Sequence, residues 1–150
     1  MTPATLACAI GKGLAAGLAG TAAMTASSTL EMRLRGREAS SAPADAAAKV
    51  LGIESFADDA AKARFANIVH WGYGTGWGVV RGLLGLTSLP PAKASAAHYA
   101  AVWGNEAVML PALDVAPPFY TWGAKEVAID VWHHVVYAAA AGVTYELLQR

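Results

Sequence analysis

The chain has 150 residues, 55% of them hydrophobic and 15% charged, with zero net charge and a mean hydropathy of +0.36. That length suits one domain, and the charged share is well under the ~25% of an average soluble domain. No basic stripe with interleaved aromatics exists, which argues against nucleic acid as a partner, and the lone Cys8 excludes an internal disulfide and any Cys-x-x-Cys motif.

Small residues dominate the first predicted helix, about residues 9–32, with the core GKGLAAGLAGTAAMTASS. Gly13 and Gly17 form a small-xxx-small pair, as do Ala16 and Gly20, and such pairs let helix backbones approach closely in lipid. No basic region of a secretory signal precedes this run. It therefore reads as a retained helix, with Lys12 at its edge. A soluble Ala-rich helix is the alternative.

A polar connection follows, opening with Arg33, Arg35 and Arg37. Ser40, Ser41 and Pro43 signal a helix start with Asp45 in its first turn. Ala46, Val50, Leu51 and Ile53 then predict a short amphipathic helix lying at a membrane surface. A second start is read at Glu54 and Ser55, with Asp58 and Asp59 suited to the helix dipole.

The second long helix is predicted at about residues 64–86. Gly74, Gly78 and Gly82 recur every fourth residue and make a glycine groove on one face, with Gly72 and Gly76 as a shorter pair. No strand precedes these glycines and no Gly-Lys-Ser/Thr follows, so they are not a nucleotide loop. Arg81 is expected to snorkel to the interface. Pro90 and Pro91 separate this helix from a third, about residues 92–113, which carries His98, Trp103, Asn105 and Glu106 and should bend or end at Pro111. Phe119, Tyr120 and Trp122 in the next link fit an aromatic belt. The last helix, about residues 126–148, places Asp130, His133 and His134 in an otherwise apolar segment.

These segments are close to the ~20 residues needed to cross hydrocarbon. They predict one integral membrane domain over residues 1–150: an all-α, four-transmembrane-helix up-down bundle with an amphipathic interfacial helix in the first loop. Lys and Arg concentrate in the first loop and beside Lys125, which places that loop in the cytoplasm and both termini outside an inner (plasma) membrane. The implied partners are the lipid bilayer and, for so small a bundle, a second copy or other membrane subunits.

Counting helix rise at ~1.5 Å per residue puts His70, Asn105, Glu106, Asp130, His133 and His134 at one level near the first-loop side. Ser27, Ser28 and Glu31 end there too. His98 falls towards the opposite surface, where its loss should matter little. Asp130 shares a helix face with His133 and His134, whereas those two histidines diverge by ~100°. Glu106 should be protonated or paired with a histidinium from His70, His133 or His134 rather than face lipid. Three readings stay open: a structural seam, a proton or small-solute path, and a metal or haem site. For the last, Asp130-x-x-His133 matches half of a di-metal bundle motif, and Glu106, Asp130, His133 and His134 are the candidate ligands. No cofactor is assigned. Hydrolase chemistry is disfavoured, because Ser27 and Ser28 lack a nucleophile elbow and Cys8 lacks an activating neighbour.

With the HWGYG helix after the basic loop and the DVWHHVVY helix in view, the chain resembles small bacterial inner-membrane proteins of the YagU-like kind. That resemblance implies a multi-pass membrane location and a link to acid tolerance. It supplies no catalytic residues.

Overall fold

Helix boundaries follow from local capping. In the computed structural model, which describes residues 2–150, the Thr2 hydroxyl accepts a hydrogen bond from the Thr5 amide at 3.2 Å and Pro3 takes the first helical position. Helix α1 (Pro3–Arg35) therefore starts earlier than the hydropathy alone suggests, and it ends where Gly36 turns left-handed at φ 64°. Helix α2 (Ala42–Leu51) ends the same way at Gly52. Helix α3 (Asp59–Leu84) is capped by Asp58, whose Oδ1 accepts from the Ala61 amide at 2.6 Å, rather than at Glu54 or Ser55. Pro91 opens α4 (Pro91–Ala112), and Pro111 falls in its last turn. A 3-10 turn at Phe119–Thr121 leads to α5 (Ala124–Gln149). The fold is all-helical, with five α-helices and no strand among the described residues.

Four long helices alternate in direction. Gly13 of α1 meets Gly78 and Gly82 of α3, while Gly17 meets Thr75 and Gly78. Gly20 of α1 meets Tyr137 of α5, and Ser27 meets His133. Both partners thus run antiparallel to α1. Helix α4 packs chiefly on α5, with Ser95 against Gly142 and Trp103 against Asp130. It touches α3 more sparingly.

The α1–α3 seam is a backbone contact. A Cβ on Gly78 would lie 2.6 Å from Gly17 Cα, and one on Gly17 would lie 2.9 Å from Gly78 Cα. Gly74 is filled by the Thr21 side chain, and Gly82 abuts the Ala9 carbonyl group. Gly72 and Gly76, by contrast, face open space and form no second seam. Two tyrosines stitch α5 to the same stripe: Tyr137 OH donates to the Gly74 carbonyl at 2.6 Å, and Tyr145 OH to that of Gly82 at 3.2 Å.

Large apolar side chains lie mostly outside. Leu14, Leu18, Ile68, Val108, Trp132, Val143 and Leu147 are exposed, while the interior is built from Ala16, Ala138, Ala141, glycines and polar groups. Among the described residues α1 is the one helix long and apolar enough to cross a membrane, with a mean hydropathy of 1.4 over its best window. The glycines, histidines and aromatic hydroxyls of α3, α4 and α5 keep those helices below that level.

Two expectations change. Helix α2 buries Ala44, Ala46 and Ala48 and leaves Val50 and Leu51 mostly exposed, so of the apolar face expected from the sequence Ala46 is the buried member. Arg81 does not snorkel: its side chain is fully buried, paired with Glu146 Oε1 through Nη2 at 2.5 Å, and sits 4.5 Å from the Tyr145 ring centroid. Glycines of α1 and α3 leave room beside α3, and the long arginine stem fills inward.

The seam predicts a sharp asymmetry between glycines of one helix. Gly78→Ala should lower stability by about 1–3 kcal/mol through overpacking, whereas Gly76→Ala should be neutral or raise it by up to ~1 kcal/mol through helix propensity. Thermal melts of the two variants check this, and equal shifts would remove the backbone contact as a determinant.

Candidate functional site

Helix α5 holds the centre of the site. Asp130 and His134 are one turn apart, and the His134 Nδ1 lies 2.9 Å from the Asp130 backbone carbonyl. A carbonyl only accepts, so Nδ1 carries the hydrogen and the ring is fixed in orientation. The opposite nitrogen, Nε2, faces Glu106 Oε2 of α4 at 2.6 Å. One proton is shared across that contact, because Nε2 and a carboxylate oxygen cannot both accept. Asp130 is oriented from α4 as well: the Trp103 indole N–H donates to Oδ2 at 2.8 Å. Its Oδ1 stands 3.7 Å from His134 Nδ1.

His133 turns to α1. Its Nδ1 is 2.9 Å from Ser27 Oγ, and its Nε2 is buried without a hydrogen-bond partner, 3.8 Å from Glu31 Oε2. Glu31 belongs to a charge cluster at the loop end of the bundle, bound by Arg35 at 2.9 Å and by Arg37, with Arg35 reaching on to Glu126 at 2.6 Å. On α3, His70 Nε2 lies 2.8 Å from Thr25 Oγ1, and that hydroxyl donates to the Thr21 carbonyl at 2.7 Å. The hydroxyl's hydrogen is thus committed, and His70 donates to it through Nε2.

His70, Glu106, Asp130, His133 and His134 all line one cavity of about 600 Å³. The rest of its wall is mainly apolar, with Met24, Val69, Trp77, Val102, Met109 and Leu110, and α2 covers it with Ala46, Ala47, Val50 and Leu51. Lys49 pins α2 in place by donating to the carbonyls of Leu113 and, at 3.2 Å, Asp114. Asn105 lies outside the cavity lining and donates to Tyr73 OH at 2.7 Å. The diverging side chains of His133 and His134 reach different helices, α1 and α4.

One set of side chains has the spacing of a metal site. A ligand atom from each of Glu106, Asp130 and His134 lies within 4.8 Å of the others. His133 falls outside this set, because its ring is turned towards Ser27. The half-motif Asp130-x-x-His133 is therefore replaced by Asp130 with His134, one residue on.

His98 stands apart from the layer but not at the surface. It is fully buried between α3, α4 and α5, with Nε2 3.0 Å from the Trp77 carbonyl and its ring 5.5 Å from that of Tyr137. Reading depth from sequence placed it near a helix end, and the direction of its side chain into the bundle was not legible that way. Ser27, expected at the level of the layer, does reach His133, whereas Trp103 and Thr25 were missed as orienting partners. Their only signal was a shared depth with Asp130 and His70.

Two variants follow from this geometry. His98→Ala should destabilise the bundle by about 2–4 kcal/mol, through lost packing and an unpaired carbonyl. Trp103→Phe should lose about 1.5–3 kcal/mol, because the Asp130 carboxylate loses its donor. Melting curves test both, and a wild-type melt for either would contradict the contact it removes. No family model, no curated protein and no solved structure matches this chain.

Proposed function

We propose that this chain is a multi-pass membrane protein, of the transport type, that takes up cations at the Glu106–Asp130–His134 wall of its cavity. One observation carries the reading. Two carboxylates and an imidazole converge on the wall of a largely apolar cavity inside the bundle. Ionisable groups in such surroundings are expensive, and they mark ion or substrate sites in membranes. A purely structural seam would close on itself, whereas these groups border about 600 Å³ of open space.

The placement in lipid rests on the inverted distribution of apolar bulk. Leucine, valine, isoleucine and tryptophan face outwards from the four long helices, and glycine and alanine fill their contacts. Lipid offers no penalty to the first and close packing favours the second. In this reading α1, α3, α4 and α5 all cross the inner membrane, α2 lies at its cytoplasmic face, and the Arg35–Arg37–Glu31–Glu126 cluster meets water. The resemblance to YagU-like proteins agrees with that arrangement.

Fractionation and labelling test it. The protein should sediment with membranes and be released by detergent alone; recovery in the supernatant after high-speed spinning would overturn the reading. Cys8 is the only cysteine and is exposed, so an impermeant thiol reagent should label it from the external side of right-side-out vesicles. A cysteine placed at Ser55 in a Cys8→Ser background should stay unlabelled until the vesicles are opened.

A further inference from the structure

The cation has a chemistry of its own. Resting on the proposed cation-binding reading, we infer that Glu106, Asp130 and His134 coordinate one divalent first-row transition-metal ion. The three ligand atoms fall within 4.8 Å of one another, a span one ion can bridge with metal–ligand bonds of about 2.0–2.2 Å.

Orientation supports a metal over a diffuse cation. The Nδ1–H of His134 is committed to the Asp130 carbonyl at 2.9 Å, so Nε2 is the nitrogen left to donate a lone pair. Asp130 Oδ2 is committed to the Trp103 indole at 2.8 Å, which leaves Oδ1 without a hydrogen bond, 3.7 Å from His134 Nδ1. Ligating histidines characteristically donate their second nitrogen in this way, and ligating carboxylates are themselves hydrogen-bonded. Both outer partners come from outside the metal-contacting atoms.

Charge gives the valence. Two carboxylates and a neutral imidazole carry a charge of minus two, which one divalent ion cancels in a poorly solvated wall. Binding displaces the proton that Glu106 and His134 share, and that proton leaves to water. Two oxygens and one imidazole nitrogen suit manganese, iron, cobalt or zinc better than magnesium or calcium, which favour oxygen alone. Three protein ligands leave positions open, and they face the cavity.

The test loads chelator-stripped full-length protein in detergent with Co²⁺. About one equivalent should survive desalting, with visible d–d absorption, and Zn²⁺ should displace it one for one. Glu106→Gln, Asp130→Asn and His134→Gln should each weaken Co²⁺ binding at least tenfold, and His70→Gln less than twofold. Should a variant fail to melt cooperatively, the wild-type stoichiometry and the Zn²⁺ displacement decide. Retention below a tenth of an equivalent, or loss on His70→Gln with the three ligand variants unaffected, would overturn the metal assignment. A fluorescent lipophilic cation separates the two levels: if it binds in a Glu106-dependent way while Co²⁺ does not, the metal is wrong and the cation-binding wall stands. If neither binds, both fail.

Discussion

The contact of α1 with α3 through bare backbone is the constraint on which the rest of the bundle depends. Gly13 and Gly17 against Gly78 and Gly82 bring two helices closer than any side chain would permit. That approach sets the positions from which Thr21, Thr25 and Ser27 of α1 reach their partners, and from which Gly74 and Gly82 offer carbonyls to Tyr137 and Tyr145. Side-chain hydrogen bonding in this interior is thus a result of glycine packing.

Around that rigid pair the other helices differ in how tightly they are held. Helix α5 packs on α1 along much of its length, whereas α4 rests mainly on α5. The space left where α4 stands off from α3 becomes the cavity, and α2 roofs it with Pro43, Ala46, Ala47, Val50 and Leu51. Glu106 therefore sits on the less tightly packed helix and Asp130 and His134 on the firmly packed one.

Much of the architecture was legible in the sequence. Glycine spacing, proline positions and apolar runs located the long helices, and caps too short to register in hydropathy, such as Thr2 and Asp58, shifted the ends. Depth along each helix needs only residue counting, and it put His70, Glu106, Asp130, His133 and His134 at one level; the cavity those five line in the structure was not legible. Direction around the helix axis was not. That is why Asn105 was grouped with residues it turns away from, why His98 and Arg81 were taken for surface groups, and why Trp103 escaped notice.

The buried Arg81 has a consequence for how the chain is made. Its guanidinium takes its one carboxylate from Glu146, and its aromatic neighbour Tyr145 lies on the same helix. Both belong to α5, which leaves the ribosome after α3 and α4. During synthesis α3 thus carries a cation whose neutralising anion has not yet been translated. Its two further nitrogens, Nε and Nη1, lack hydrogen-bond partners even in the finished fold. The packing of α3 is in this sense unfinished until α5 arrives and brings Glu146 and Tyr145 to Arg81. A chain halted before Glu146 would hold an arginine in the bundle without its one carboxylate partner.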